Sequence, residues 1–550
     1  MVEILRVKVT ADRTPLIDKT VDVLTREVKE RCGVEIIQAG ESNSDLALDV
    51  RPGIGEQGFR IEGGPKGQVR IIGNDERGLL YGVGKFLRSS RFDGGVFTPG
   101  RWRGTSFPQK QVRGIYFATH FFNFYHVAPV EKVQRYIEEL ALWGCNALCV
   151  WYDMHHFAGI DDPRAQEMIE RLRSLLRTAS EVGMGATLGV IANEAYSDSP
   201  VELRGAAHGA YGVELCPSKP GAMPLMLKWR EEMLRAFSDI DIEYFWVWPY
   251  DQGGCNCEKC APWGANGFLR MSEPVTRLAR RYFPRARIIL STWWFDEHQK
   301  GEWEGLARAF ERGPDWVDYI MADSSGDFPE HPLKHGVPGG LPLLDFPEIS
   351  MHGMYPWGGW GANPLPARMQ GRWDLAGGHL EGGFPYSEGI YEDMNKAVAL
   401  QFYWGSRPAM ETVRDYSAFE FSPDAAEDLA RAVQLMERNH EHKWVRQGET
   451  PERICVMQEP GVAAECFELV RRAETRMTAH AKSSWRWRIF YLRAAIDAEL
   501  VRSGGAPNET VNAYLDELTS IYCMKRNTRH APVRKSTGWS EADETARGPD

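Results

Sequence analysis

The sequence predicts an α/β protein: a (β/α)8 TIM barrel preceded by a small α/β domain and followed by a helical region. Three observations carry this prediction. From Gln111 onward, strand-like and helix-like segments alternate through eight strands. The aromatic run Tyr244–Tyr250 ends in a lone acid, Asp251, which is how barrel strands deliver a carboxylate to the loop at their C-terminal end. A phosphate-binding GxGxxG after the first of these strands, the mark of a doubly wound sheet, is missing.

Residues 1–105 read as the small α/β domain. Strand-like runs at Ile4–Thr10, Leu46–Val50, Phe59–Glu62 and Val69–Ile72 alternate with helical patterns over Thr14–Cys32 and Glu76–Leu87. The chain turns through Gly73 and Asn74, and Gly78 and Gly82 let the following helix lie close on its sheet. Residues 106–407 hold the barrel. Its strands are expected to start at Val112, Asn146, Ala186, Tyr244, Ala286, Asp318, Glu348 and Glu381. Amphipathic helices such as Val130–Trp143 and Pro163–Val182 lie between them. After Pro408 strand signals fade, and residues 408–530 read as helical, with clear periodicity over Ala425–His440 and Val462–Val501. Residues 531–550 are polar and have the composition of a frayed tail.

Composition narrows the function. A chain of 550 residues suits two or three domains. A formal net charge of −11, without a basic run interleaved with aromatics, argues against nucleic acid as partner. The start, MVEILRVKVT, lacks the basic segment and apolar core of a secretory leader, and no apolar stretch reaches the ~18 residues of a membrane span. Ten cysteines spread along so long a chain fit reduced thiols and a cytoplasmic protein. A homo-oligomer is compatible with the sequence. Nineteen Trp, many near strand ends, favour a carbohydrate ligand, because indole faces stack on the C–H faces of sugar rings; core packing is the plainer explanation.

The strand ends of a barrel converge on one mouth, so polar residues just past each strand are site candidates. In order these are Thr119, His120 and Asn123; Asp153, His155 and His156; Asn193 and Glu194; Asp251 and Gln252. The second half of the barrel adds Asp296, Glu297 and His298 beside Trp293 and Trp294, then Asp323 and Asp327. His352, Tyr355, Trp357 and Trp360 follow, and Tyr386, Glu388 and Tyr391 complete the ring. Many carboxylates among many indoles match glycoside hydrolysis, which needs a protonated acid for the leaving oxygen and a carboxylate acting as base or nucleophile. Asp251, after Trp246, Trp248 and Tyr250, is the expected general acid, and Glu388 the base or nucleophile, with Glu194 and Asp296 in reserve. Strands four and eight face each other across the barrel. Trp293, Trp294, Trp357 and Trp360 are expected to hold the sugar ring, and His120, Asn193, His352 and Tyr386 to contact the sugar. Asp153, Asp323 and Asp393 read as supporting or helix-capping residues.

Cys255, Cys257 and Cys260 form C-x-C-x2-C, three soft ligands in one loop, and Cys216 after strand three is the best fourth. A closed four-thiolate zinc site would hold two loops without taking part in catalysis; four reduced thiols are the alternative. No catalytic cofactor is expected. A catalytic metal at Asp153, His155 and His156 is disfavoured because adjacent histidines point differently.

The segment RIIGNDERGLLYGVGKFLR resembles the accessory domain that precedes the barrel in family 20 hexosaminidases, family 67 α-glucuronidases and family 84 enzymes. The order of domains is most similar to families 67 and 84, and LCPSKP followed by CNCEKC is similar to a group of bacterial barrel proteins related to them. The resemblance implies an exo-acting glycosidase of a small oligosaccharide or glycoside, its terminal sugar a uronic acid or another hexose. The family 20 Asp-Glu pair is Asp251-Gln252 here, and Gln cannot donate a proton, so the acetamide-assisted mechanism would need the Asp296-Glu297 pair instead. A metal-dependent barrel hydrolase or isomerase, and a barrel that binds sugar without catalysis, are the alternatives.

Overall fold

A computed structural model describes the chain apart from residues 41–42, 120–122, 207–211, 251–252, 325–327, 350–363, 448–449, 458, 505–507, 524–534 and 537–550. Eight parallel strands close on themselves. They are β1 (Val112–Phe117), β2 (Ala147–Trp151), β3 (Gly185–Ile191), β4 (Ile242–Trp248), β5 (Arg287–Ser291), β6 (Tyr319–Ser324), β7 (Leu343–Pro347) and β8 (Leu380–Gly383). Each pairs with the next, and β1 pairs with both β2 and β8, so no edge is left open. A short strand, Tyr386–Ser387, continues β8 alongside β1.

Alternation along β4 shows how the sequence builds the barrel. Tyr244, Trp246 and Trp248 join the cluster that fills the lumen, while Phe245 and Val247 join the cluster beneath the outer helices. Both faces are therefore apolar, and the strand reads as one continuous hydrophobic run. Seven strands lie where the sequence predicts them. The seventh does not: β7 is Leu343–Pro347 rather than a strand starting at Glu348. Leu343 and Leu344 are β-compatible residues lying between prolines, and those prolines disguise a buried strand as a loop.

The N-terminal sheet has six strands, in the order Glu35–Gln38, Ile4–Val9, Leu46–Val50, Val69–Gly73, Phe59–Gly63 and Gly104–Ser106. Its helix Glu76–Arg88 is capped by Asp75, whose carboxylate accepts from Gly78 N at 2.8 Å. A Cβ on Gly78 would stand 2.1 Å from Gly58 O, and one on Gly82 would stand 2.6 Å from Ile71 Cγ2, which explains both glycines.

The C-terminal region is mainly helical, with helices Ala409–Glu420, Ala426–Arg438, Pro460–Glu474, Ala479–Ser483, Trp485–Arg502 and Glu509–Ile521. Two features depart from the sequence reading. An antiparallel hairpin, His440–Gln447 with Thr450–Met457, interrupts it, and Lys535–Ser536 adds a short third strand from a tail that otherwise lies outside the described residues. The long helical pattern from Val462 also breaks where Thr478 and Ser484 cap new helices at Ala481 N and Trp487 N. Among the described residues no helix is long and apolar enough to cross a membrane.

Buried charges join the three parts. Arg486 donates to Asp393 at 2.7 Å and pairs with Glu139 at 2.8 Å, linking the helical region to two barrel helices. Arg31 of the N-terminal helix pairs with Glu420 at 2.9 Å and with Glu27 at 3.0 Å. Asp393 thus caps no helix. It accepts from Tyr136 and Tyr416 hydroxyls at 2.6 Å as well as from Arg486, which makes it the hub of this network.

Candidate active site

The floor of the mouth is aromatic. Tyr116 on β1 meets Trp246, Trp248, Phe346 and Tyr386 at ring-centroid distances of 5.5–5.8 Å. Trp246 and Trp248 lie 4.7 Å apart, and Trp151 lies 5.4 Å from Trp248. The Nε1 of Trp246 is buried with no partner among the described residues. This low-dielectric plug closes the lumen below the strand ends and sets the electrostatics of the carboxyls above it.

Glu388 stands just past the continuation of β8. The Tyr386 hydroxyl donates to its Oε1 at 2.7 Å, and the Tyr391 hydroxyl to its Oε2 at 3.3 Å. Burial, reinforced by the charge of Glu348, pushes its carboxyl up to about 8, against the two tyrosine hydrogen bonds. It therefore carries a proton at neutral pH. Glu348 reaches the same place from the end of β7, where it bridges to Tyr386. The sequence reading missed Glu348 because it placed the start, not the end, of a strand there. The turn bearing Glu388 is held from below by a fully buried pair, Glu392 and Lys396, 3.3 Å apart. Glu392 accepts from Ser387 Oγ and from Gly389 N, while Lys396 donates to Gly389 O at 2.6 Å. Their i, i+4 spacing at a helix start was the only sequence signal.

Glu194, past β3, is 1% exposed. Its Oε2 accepts from Trp151 Nε1 at 3.1 Å, and its Oε1 lies 2.7 Å from His155 Nδ1. Burial pushes Glu194 up to about 8, opposed by Arg230, and burial also drives His155 well below its ordinary value. Burial thus disfavours charge on both groups, and through these contacts Glu194 orients His155 and Trp151 in the wall. His156 Nδ1 meets Asp153 instead, although the two imidazoles lie against each other with centroids 4.1 Å apart.

Asp296 serves structure. Its carboxylate accepts from Glu302 N at 2.8 Å while its own N–H donates to Glu302 Oε2 at 2.9 Å, with φ at 64°. Glu297 is exposed, so the acid pair that acetamide assistance would need does not face the mouth together. Glu302 itself is fully buried and was not foreseen. It accepts from Gly264 N at 2.6 Å and from the hydroxyl of Tyr250, the residue before Asp251. Glu302→Ala is expected to lose about 1–3 kcal/mol for each orphaned donor, with Glu302→Gln recovering part of the loss in urea unfolding. An unchanged midpoint in both variants would refute this anchoring role.

Asn193 ties loops rather than facing a ligand. Its Nδ2 donates to Leu215 O at 2.9 Å and Gly254 O at 3.0 Å, and its Oδ1 accepts from Gly254 N at 2.9 Å. Trp293 and Trp294 stack at 5.4 Å and 17°, half-buried, and Trp293 meets Phe346 edge-on at 5.4 Å. They form a wall beside the floor. Thr119 is buried with its hydroxyl on Trp151 O, and Asn123 caps a short helix. Asp251, His120, His352, Trp357 and Trp360 lie outside the described residues.

The four cysteines come together. Cys216 Sγ lies 3.8 Å from both Cys257 Sγ and Cys260 Sγ, and all four sulfurs are within 4.8 Å of one another. Among the described residues this is the only such convergence of three or more His, Cys, Asp or Glu ligand atoms.

No family model matches this chain. No curated protein matches it either. Solved structures do. A family GH115 4-O-methyl-α-glucuronidase with specificity for decorated arabinogalactans superposes with TM-score 0.63 at 11% identity, over 96% of this chain and 77% of that one. A GH138 enzyme targeting pectin rhamnogalacturonan II gives 0.60 at 12% identity, over 94% and 90%. A GH20 β-N-acetylglucosaminidase gives 0.50 at 13% identity, over 75% and 90%. The chain therefore has the fold of hexosaminidase-like and glucuronidase-like glycoside hydrolases, a (β/α)8 barrel with an N-terminal α/β region and a helical C-terminal region.

Proposed function

We propose that this protein is a glycoside hydrolase that removes a terminal sugar from a small oligosaccharide or glycoside, using two carboxyl groups at the barrel mouth. The observation that carries the reading is Glu388, a half-buried carboxyl just past the continuation of β8, held by the Tyr386 and Tyr391 hydroxyls and pushed up to about 8 by desolvation and by Glu348. A group so placed is a general acid. This exchanges the roles expected from sequence: Glu388 delivers the proton to the leaving oxygen, and Asp251, at the end of the opposite strand, is the base or nucleophile. Glu348 keeps the proton on Glu388. Trp293 and Trp294 offer the ring-stacking wall. The fold shared with glycosidases supports the class of reaction by analogy.

The terminal sugar is a neutral hexose rather than a uronate. A uronate carboxylate calls for Arg or Lys, and in the eight loops that follow the strands the only such residues are Arg204, Lys219, Lys259 and Lys300. Arg204 donates to Ser197 O and Ser199 O, Lys219 to Glu202 O and Arg204 O, and Lys300 to Asp296 O, while Lys259 is exposed. Arg230, 1% exposed, spends its guanidinium on Ile191 O, Glu194 O and Met154 Sδ.

A panel of aryl α- and β-glycosides, acetamido-glycosides and uronides tests both statements. A neutral hexoside is expected to turn over, with the matching uronide slower by more than about tenfold. A uronide as best substrate would overturn the sugar assignment while sustaining the hydrolase. Sugar binding without turnover of any glycoside would overturn the hydrolase.

A further inference from the structure

We infer that Cys216, Cys255, Cys257 and Cys260 bind one zinc ion in a closed, non-catalytic tetrahedral site that clamps the β3 and β4 loops together. The inference does not depend on the substrate or on the roles of the carboxyl groups.

The geometry is that of a metal centre. Four sulfurs at about 2.3 Å from a tetrahedral zinc stand about 3.8 Å apart. Cys216 is 3.8 Å from Cys257 and 3.8 Å from Cys260. A disulfide needs about 2.05 Å, and all four cysteines are free. Three of the four are buried, with Cys257 half-buried, and among the described residues no carboxylate or imidazole joins the group of four sulfurs.

The surroundings are built to hold these sulfurs. At the C-x2-C turn, Cys260 N and Ala261 N both donate to Cys257 O at 2.9 Å, which folds the two thiols to one side. Ser218 Oγ lies 3.1 Å from Cys260 Sγ and accepts from Arg270 Nη1, so a hydroxyl backed by a cation supports that sulfur. Asn193 grips Leu215 and Gly254, the residues immediately before Cys216 and Cys255. Cys216 N donates to Leu203 O and Asn256 N to Ala206 O, completing the frame.

The chemistry follows from the ligand set. On binding Zn²⁺ the four thiols would give up four protons to solvent and form a dianionic centre with no open position, which excludes a Lewis-acid role. Asp251 lies four residues before Cys255, between this clamp and the Tyr250–Glu302 anchor. The ion would thus fix the Cys255 end of residues 251–254, while the Tyr250–Glu302 hydrogen bond holds the other end.

The test measures metal in the full-length protein purified with zinc at trace levels. Plasma mass spectrometry is expected to find about one zinc per chain. X-ray absorption at the zinc edge should give four sulfur neighbours at about 2.3 Å. Cobalt exchanged into the folded protein should show thiolate-to-metal charge transfer and intense tetrahedral visible bands. Cys257→Ser should lose the metal, and Cys466→Ser, a buried cysteine far from the cluster, should keep it. If Cys257→Ser does not fold, absorption and cobalt spectra of wild type still decide. Wild type that carries no metal after zinc supplementation, or a zinc shell with oxygen or nitrogen in place of sulfur, overturns the proposal. Because metal content is read without substrate, either outcome is independent of whether the protein hydrolyses glycosides.

Discussion

Glu388→Gln is expected to lower kcat/KM on the best aryl glycoside by about 10²–10⁴-fold, the usual share of a general acid. The loss should be greatest for poor leaving groups and nearly vanish for dinitrophenyl glycosides, whose phenolate departs without a proton. The pH profile provides a second signature. Burial and the neighbouring Glu348 hold the Glu388 carboxyl up at about 8, and the protonated form is the active one. Activity should therefore be level from that value down to the pH at which the second carboxyl takes up a proton, and fall about tenfold per pH unit above it. Removing the like charge with Glu348→Gln makes Glu388 easier to ionise and moves this alkaline limb to lower pH. Asp251→Asn should slow activated and unactivated substrates alike. Azide restoring Asp251→Asn would mark Asp251 as nucleophile. If Glu388→Gln keeps the alkaline limb and the full rate, the assignment of the acid is wrong.

Arg486→Met is expected to destabilise the protein by about 3–5 kcal/mol, because it leaves buried anions without their cation. Its side chain is 8% exposed and faces Asp393, Glu139 and Glu420, and its guanidinium lies 4.2 Å from the Trp485 ring. Burial alone would raise Asp393; Arg486 and then Lys396 overcome it and hold the carboxyl below its ordinary value. A carboxylate depressed in the folded state adds stability above its unfolded pKa and loses it as pH falls through the folded value. Without Arg486 that depression goes, so the deficit should be largest near neutrality and shrink in acid as Asp393 takes up a proton. Arg486→Met combined with Asp393→Asn should recover part of the loss, and the coupling between the two sites is measurable by denaturant unfolding. Additive losses across the pair would show that Asp393 does not depend on Arg486.

The sequence made the barrel legible because its signals are local. Strands buried on both faces are unbroken apolar runs, as in IEYFWVW of β4, and amphipathic helices separate them. Close packing was equally local, as at Gly78 and Gly82. The failures share a cause. β7 is five residues flanked by prolines, and the hairpin at His440–Gln447 sits among helical neighbours. For β7, partner strands distant in the chain override weak local preference, whereas the hairpin strands pair with each other, Gln447 opposite Thr450, amid helical periodicity on both sides.

The site was legible in part for the same reason. Strand-end position foretold that Glu388, Tyr386, Trp293 and Trp294 lie near the mouth and that the four cysteines converge, because a barrel converts chain order into angular position around one mouth. It could not separate carboxyls that face a ligand from those that support the loops. Asp296 and Glu302 exchange backbone hydrogen bonds, Glu194 is hydrogen-bonded to His155, and Asn193 spends its amide on two loops. Position in the chain establishes which groups reach the mouth. Which of them keep a proton, a charge or a free hydrogen depends on desolvation and on neighbours such as Glu348, brought from another strand, and these exist only once the chain has folded.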